Sequence, residues 1–137
     1  MILLGVDYGE RRTGVAVCDS MGILASPVKV IHETNRKKLA AALTGLMKET
    51  RASKLIMGLP LRTDGTKGDK ALACEALAEL LRAEGFSVEL WDERFSSTMA
   101  HQSLRTAGVK TKDHRSVVDA VAAVIILQSY LDRKIDL

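Results

Sequence analysis

The chain has 137 residues, 47% of them hydrophobic, with a formal net charge of +3 at pH 7 and a pI near 9.0. This is enough apolar material for one core and too little length for two ordinary domains, so we expect a single domain over residues 1–137. No apolar run approaches a membrane span, and the apolar start is too short for a signal peptide, which predicts a cytoplasmic protein without a membrane partner. The mild positive charge permits a polyanionic partner without requiring one.

Cysteine usage indicates the same compartment. Cys18 and Cys74 both lie in apolar periodic segments rather than in a spaced framework. This pattern predicts buried thiols in a reducing environment rather than a disulfide.

The N-terminal part of the chain has the pattern of a three-stranded meander. Residues 2–6 form a continuous apolar run, typical of a strand covered on both faces, and Gly9 with the two arginines after it indicates a turn into a partner strand over 13–19. Residues 23–24 and 28–31 predict a third strand. Pro27 interrupts it, which places this strand at an edge of the sheet or bends it.

The pattern then alternates between helix and strand. An amphipathic helix is predicted after Asn35 or Thr34 as its N-cap. Its apolar face comprises Leu39, Leu43, Leu46 and Met47. Residues 54–58 predict a buried strand, followed by a loop over 61–68 and a second helix over about 69–84 that ends at Gly85. Residues 87–91 predict the fifth strand.

Two further helical segments close the chain, over about residues 97–106 and 116–131. Between them, residues 108–115 have no apolar period, which predicts a mobile connection. A meander followed by two right-handed crossovers gives an α/β fold, with a mixed five-stranded sheet and helices on both faces.

Three acidic residues end or interrupt apolar segments: Asp7, Glu93 and Asp119. Because parallel strands end at one rim of a sheet, Asp7 and Glu93 should lie close together, and the last helix could add Asp119 by packing across the sheet. Desolvated carboxylates need a partner, and a divalent metal is the simplest one. Oxygen ligands without a Cys/His cluster favour Mg²⁺ or Mn²⁺ over zinc. The structural alternatives are a turn cap for Asp7 and a helix-dipole interaction for Asp119.

Basic residues flank this rim rather than covering the surface evenly. Phosphate contacts from such residues would position a nucleic-acid backbone without reading its bases, although each residue could also be a solvated charge. The candidates are Arg11, Arg12, Arg62, Lys67, Lys70, Arg94, Lys110, Lys112 and Arg115. Aromatic residues make up only 4% of the chain, so shape and charge recognition is favoured over base stacking.

Four motifs carry a family resemblance that spans essentially the whole chain. They are DYGERRTGVA at 7–16, GLP at 58–60 with Asp64, Gly65 and Gly68, DERFSS at 92–97, and VDAVAA at 118–123 with Ile126, Leu127 and Gln128. Together they resemble the YqgF (RuvX-type) family of Holliday-junction resolvases and ribosomal-RNA-precursor nucleases. Any one of them alone would be a weak signal, whereas four in this order are specific.

The resemblance implies an RNase H-like fold and a Mg²⁺- or Mn²⁺-dependent nuclease site built from Asp7, Glu93 and Asp119. It implies hydrolysis of phosphodiester bonds in structured nucleic acid, in the bacterial cytoplasm. We expect the protein to be a monomer or weak homodimer. Processing of the 5′ end of pre-16S rRNA is the first expectation, and resolution of branched DNA is the alternative. The resemblance favours Glu93 over Asp92 as the residue that points into the site. An error of one residue in the predicted register of the strand would exchange the two.

Two other classes of protein stay open on the residues alone. Asp7 and Gly9 followed by Gly14 also resemble the first phosphate loop of sugar kinases and actin-like ATPases. Those proteins close two lobes around a nucleotide, whereas this chain has one. In a non-catalytic RNA-binding module, the basic rim would hold RNA and the carboxylates would be structural.

Overall fold

The structure, a computed structural model, describes residues 1–93 and 111–135, with side chains for residues 1–93 and 120–133. The strands are β1 (Leu3–Asp7), β2 (Arg12–Cys18), β3 (Ala25–His32), β4 (Lys54–Leu59) and β5 (Ser87–Asp92). The helices are α1 (Arg36–Thr50), α2 (Asp69–Ala83) and α3 (Thr111–Ile135).

The five strands form one mixed sheet in the order β3-β2-β1-β4-β5. β2 is antiparallel to both β1 and β3, whereas β4 is parallel to both β1 and β5. The predicted meander and crossovers are therefore confirmed. The parallel register brings the ends of β1, β4 and β5 to one edge, here called the carboxyl rim, which is formed by Asp7, Leu59 and Asp92.

Helices cover both faces of the sheet, as predicted. One face packs against α1 and α2 in a core that includes Leu4, Val6, Leu43, Met57 and Leu77. The other face packs against α3 in a core that includes Leu3, Ile56, Ala123, Ile126 and Leu127. Because strand side chains alternate between faces, Asp7 lies on the face of β1 that α3 covers.

β3 lies at the edge of the sheet, as Pro27 predicts, and a bulge shifts its register beside Val15. The prediction that this strand includes Ile23 and Leu24 is wrong, since β3 begins at Ala25. The backbone N–H groups of Ile23 and Leu24 donate to the Asp19 carboxylate instead, at 2.7 and 3.4 Å. That turn uses the donors that a strand ladder would need.

Two predicted helix ends are confirmed. The Asn35 side chain caps α1 by accepting a hydrogen bond of 3.0 Å from the Lys38 backbone N–H. Gly85, at φ +94, ends α2 and donates its N–H to the Arg82 carbonyl, while Phe86 donates to the Leu81 carbonyl. This paired arrangement satisfies carbonyls that the end of a helix leaves open.

The last helix is longer than predicted. α3 begins at Thr111, so the prediction of a mobile connection over 108–115 is wrong for residues 111–115. Lysine and arginine are favourable helix formers without any apolar period, so periodicity alone missed this turn. Residues 108–110 and the helix predicted over 97–106 lie outside the described residues.

Cys18 and Cys74 are free and buried, on opposite faces of the sheet. The prediction of buried thiols is confirmed. Within the described part of the chain, no helix combines the length and hydropathy needed to cross a membrane.

Candidate active site

Asp7 is the last residue of β1 and lies at the carboxyl rim with its side chain half-buried. It pairs with Gly14 of β2 on one side. On the other side, the parallel register that joins Val6 to Met57 puts Asp7 level with Gly58 of β4. Neither flanking residue has a side chain, so Asp7 can be reached by a side chain from further away in the sheet.

Glu93 follows β5, two strands away from Asp7, and reaches it across β4. Glu93 is only 8% exposed. Its Cγ and Cδ atoms lie 2.7 and 2.8 Å from the point that a Cβ on Gly58 would occupy. The Glu93 carboxyl group forms a side-chain hydrogen bond with Asp7. The structure thus brings these two candidate residues together, while Asp92 forms the end of β5 and is half-buried.

The environment of Glu93 favours its protonated form. Burial raises the pKa of Glu93 above the ordinary value, and the negative charge of Asp92 acts in the same direction. The positive charge of Lys70 and the hydrogen bond to Asp7 lower this pKa in part. Because a hydrogen bond between two carboxyl groups needs one proton, a cation bound at this place would compete with that proton.

This pair fits a hard divalent cation. Carboxylate oxygens are the ligands that Mg²⁺ and Mn²⁺ prefer, and a buried acid pair has negative charge to neutralise. Among the described side chains, no group of three potential ligands lies close enough together to hold a metal ion. Asp119, the third candidate, lies in α3 one helical turn before Ala123, whose carbonyl oxygen approaches Gly5 of β1. The Asp119 side chain lies outside the described residues.

Lys70 of α2 acts electrostatically on the acid pair, and the acid pair acts on Cys74 of the same helix. Lys70, in the first turn of α2, lowers the pKa of Glu93 through its positive charge. Cys74, one turn further along, is 1% exposed. Burial raises the pKa of the Cys74 thiol to about 12, and the charge of Glu93 adds to this shift. The thiol is therefore protonated at neutral pH and does not act as a nucleophile.

A cavity of about 550 Å³ opens beside the rim, between the β1–β2 turn and the start of α2. Its lining includes three of the predicted rim cations, Arg11, Arg12 and Lys70, together with the acidic Glu10 and Asp69. Cations grouped in this way can contact more than one phosphate of a bound strand. The structure thus collects these three basic residues in one cavity, and the charge of Lys70 also acts on Glu93.

Arg62 and Lys67 lie in the loop between β4 and α2, which is closed by a bridge between Leu61 and Lys67. The Arg62 guanidinium lies beside Gly68, just before α2. Its Nε atom is 3.3 Å from the point that a Cβ on Gly68 would occupy. Lys67 pairs with Glu75 at 2.8 Å, and its side chain is 50% exposed. An exposed ion pair contributes little stability, so Lys67 can exchange Glu75 for a phosphate at small cost.

The other basic candidates cannot be placed as side chains. Arg94 and Lys110 lie outside the described residues. Lys112 and Arg115 belong to the first turns of α3, which fixes their backbone, but their side chains also lie outside the described residues.

Sequence reasoning missed the role of Gly58. It identified this glycine as the end of a buried strand and as part of a motif, without a function. The signal was present, because a glycine inside an apolar strand often marks a place where another group approaches the backbone closely. Here the approaching group is the Glu93 side chain.

The solved structures with a similar fold include RuvC and a viral resolvase. Thermus thermophilus RuvC in complex with a Holliday junction substrate has a TM-score of 0.61 at 14% identity, with 98% of this chain and 96% of that chain covered. The Fowlpox virus resolvase, in complex with Holliday junction DNA, has a TM-score of 0.55 at 10% identity, with 98% and 99% covered. At these identities the likeness shows the fold, and the expected RNase H-like architecture is confirmed.

Similarity in sequence is much closer. A protein of Clostridioides difficile (strain 630) named "Putative pre-16S rRNA nuclease" is 42% identical over 135 residues, which cover 98% of this chain and 96% of that protein. A protein of Syntrophus aciditrophicus (strain SB) with the same name is 38% identical, with 96% and 89% covered. The family profile RuvX, described as Holliday junction resolvase, matches residues 1–133. The chain therefore belongs to the RuvX family.

Proposed function

We propose that this protein is a divalent-metal-dependent nuclease that hydrolyses phosphodiester bonds in structured nucleic acid, with the 5′ end of pre-16S rRNA as its substrate. The observation that carries the proposal is the hydrogen-bonded Asp7–Glu93 pair at the carboxyl rim, beside a cavity lined by three cations. The names of relatives that are 38% and 42% identical support the choice of substrate. We also propose that residues 1–137 act as one domain, as a monomer or weak homodimer, in the cytoplasm.

In this proposal Asp7, Glu93 and Asp119 hold Mg²⁺ or Mn²⁺. The bound cation would supply Lewis acidity toward the phosphodiester. Asp7 and Glu93 fix the position of that charge, and they do so best when both are deprotonated. Burial opposes the deprotonation of Glu93, and the positive charge of Lys70 favours it.

The basic residues are proposed to hold the substrate backbone. Arg11, Arg12 and Lys70 line one cavity beside the carboxyl rim, where they would contact phosphates that flank the cleaved bond. The proposed track for the rest of the strand consists of Arg62, Lys67, Arg94, Lys110, Lys112 and Arg115. Such contacts position the strand without reading its sequence, so substrate choice would depend on shape.

A Holliday-junction resolvase is the second candidate function. It is favoured by the family description and by the fold that this chain shares with resolvases solved on junction DNA. A non-catalytic RNA-binding module is less well supported, because a buried acid with a raised pKa, as Glu93 is, is more typical of a reactive site than of a structural contact.

Cleavage of two substrates under identical conditions tests the proposal. One is an RNA that spans the 5′ end of 16S rRNA with its precursor extension, and the other is a four-way DNA junction, each with Mn²⁺. We expect the RNA to be cut, and an Asp7→Asn variant to cut it about 100-fold more slowly or worse. Cutting of the junction alone would identify a resolvase. Binding of RNA without any cleavage would identify a binding module.

A further inference from the structure

We propose that Gly58 is a positioning residue of the acid pair, because its missing side chain is the gap through which Glu93 reaches Asp7. Gly58 touches neither substrate nor metal in this account and acts only through Glu93. The inference rests on the proposed function in one respect, namely that the paired carboxylates bind a divalent cation.

The sheet order makes the gap necessary. β4 lies between β1 and β5, so a side chain from the end of β5 can meet Asp7 only by passing over β4. The register places Gly58 level with Trp91 of β5 and, one residue beyond the Val6–Met57 pair, level with Asp7 of β1. Gly58 is therefore the residue of β4 over which Glu93 has to cross.

The distances show that an alanine would not fit. A Cβ on Gly58 would lie 2.7 Å from Glu93 Cγ, 2.8 Å from Glu93 Cδ and 2.7 Å from Ile126 Cδ1. Carbon atoms in contact prefer separations of about 3.5 to 4.0 Å, so all three atoms would have to move by most of an ångström.

The strand itself is held in place, so the side chains would have to give. β4 is hydrogen-bonded on both sides, and Leu55, Ile56 and Met57 are fully buried in the two cores. Ile126 Cδ1 is the end of a flexible side chain and can turn away. Glu93 meets the new atom with two consecutive carbons, so its carboxyl group would be displaced from Asp7.

Two other glycines provide a comparison. A Cβ on Gly5 would lie 2.6 Å from Leu127 Cβ and 2.9 Å from the Ala123 carbonyl oxygen, so Gly5 is required by the packing of α3 and not by an acidic side chain. A Cβ on Gly45, inside α1, would have no neighbour within 4 Å. Gly58 differs from both because its close neighbour is a member of the acid pair.

The test combines Mn²⁺ binding by titration calorimetry with crystal structures of the metal-free proteins. The variants are Gly58→Ala, the double variant Gly58→Ala with Ile126→Val, Glu93→Ala with and without Gly58→Ala, and Gly45→Ala as the matched control. Ile126→Val removes only the Cδ1 atom, so the double variant has no clash between the new Cβ and α3 and should fold. The clash between the new Cβ and Glu93 remains.

We expect both Gly58→Ala proteins to bind Mn²⁺ about 10- to 100-fold more weakly than the wild type, the loss typical of a residue that orients a ligand. Gly45→Ala should bind Mn²⁺ normally. When Glu93 is already Ala, Gly58→Ala should weaken binding no further, because Gly58 acts through Glu93. In metal-free crystals, Glu93 should contact Asp7 in the wild type and be separated from it in both Gly58→Ala proteins.

Several results would overturn the inference. These are an intact Asp7–Glu93 contact in Gly58→Ala, normal Mn²⁺ binding by that variant, or full recovery on adding Ile126→Val, which would make α3 packing the cause. A wild type that binds no Mn²⁺, with Glu93 displaced only in the Gly58→Ala crystals, would instead contradict the proposed function and leave the positioning role of Gly58 supported.

Discussion

Glu93 and Asp7 come from strands that are not neighbours, and their carboxyl groups share a hydrogen bond that passes over Gly58 of the strand between them. The acid pair is therefore a product of the sheet order and not of a local motif. Any change in the order or register of β1, β4 and β5 would separate the two groups.

Asp7→Asn should reduce cleavage by about 100-fold or more while the protein remains folded. The amide keeps the shape of the side chain and can still hydrogen-bond Glu93, but it lacks the negative charge that holds a cation. Asp119→Asn should behave in the same way. Cleavage rates at saturating Mg²⁺, with thermal unfolding as the control for folding, measure this effect. Wild-type turnover by either variant would remove that residue from the proposed metal site.

Glu93→Gln should abolish cleavage and yet stabilise the metal-free protein at neutral pH. Burial raises the pKa of Glu93 on folding, so the folded state binds this proton more tightly than the unfolded chain. This tighter proton binding stabilises the folded wild type fully below the ordinary pKa of 4.5. The stabilisation is lost as the pH rises through the pKa of Glu93 in the folded protein. Glutamine stays neutral throughout, so its advantage in melting temperature over the wild type should grow from pH 4.5 to pH 7. Melting in EDTA measures it, and an advantage independent of pH would show that burial of the charge is not the cause.

Two substitutions near Glu93 should shift the pH dependence of cleavage in opposite directions. The part that shifts is the acid limb, where the cleavage rate rises from low pH. Asp92→Asn removes a charge that raises the pKa of Glu93, so the limb should shift to lower pH, with turnover retained and stability lowered by about 1 to 2 kcal/mol through a lost hydrogen bond. Lys70→Met removes a charge that lowers this pKa, so the limb should shift to higher pH.

Glu79, whose side chain is 72% exposed on α2, provides the control for this pair. Glu79→Gln should leave the limb in place. If Asp92→Asn abolished cleavage while Glu93→Gln kept it, Asp92 and not Glu93 would be the ligand. If Asp92→Asn and Lys70→Met shifted the limb in the same direction, the charges around Glu93 would not control its protonation.

Nucleic-acid binding should weaken as the salt concentration rises, and the cations of the cavity should account for part of this salt dependence. Replacing Arg11 and Arg12 with alanine should reduce the slope of log K against log salt by about 2 on duplex substrate, roughly one phosphate each. Replacing Lys110, Lys112 and Arg115 should reduce it by about 2 to 3. The loss of affinity should be about equal for different sequences.

A control variant that loses two exposed cations away from the cavity shows whether the change in net charge alone alters the slope. Lys29 on the edge strand β3 and Lys48 in the last turn of α1 are exposed, and their joint replacement with alanine should leave the slope nearly unchanged. An unchanged slope in the Lys110, Lys112 and Arg115 variant would make that segment a solvated surface. Arg11, Arg12, Arg62 and Lys67 would then form the main track.

The fold was predictable where a local pattern reports burial. The apolar run before Asp7 and the one at residues 54–58 identify β1 and β4, and Asn35 and Gly85 mark helix ends through side-chain and backbone chemistry that acts within a few residues. The position of Asp7 at the end of its strand follows from the same patterns.

Features that depend on polar or distant contacts were not predictable in this way. The first turn of α3 has no apolar period, and Ile23 and Leu24 leave the strand because Asp19 takes their backbone donors. The passage of Glu93 over Gly58 depends on three strands at once. No local pattern reports such a crossing, although a glycine in an apolar strand indicates where to look for one.

The most direct test of the metal site is a sulfur substitution at the cleaved phosphate of the RNA substrate. Mg²⁺ binds sulfur poorly, whereas the softer Mn²⁺ accepts it better, so a cation that acts on this phosphate reveals itself by the metal it requires. We predict that the wild type cuts the sulfur-substituted RNA in Mn²⁺ and not in Mg²⁺, and that it cuts the unmodified RNA in both metals. Asp7→Asn should cut the unmodified RNA about 100-fold more slowly, or worse, in either metal. Equal cleavage of the two RNAs in Mg²⁺, or cleavage by Asp7→Asn at the wild-type rate, would contradict a metal ion held by Asp7 and Glu93.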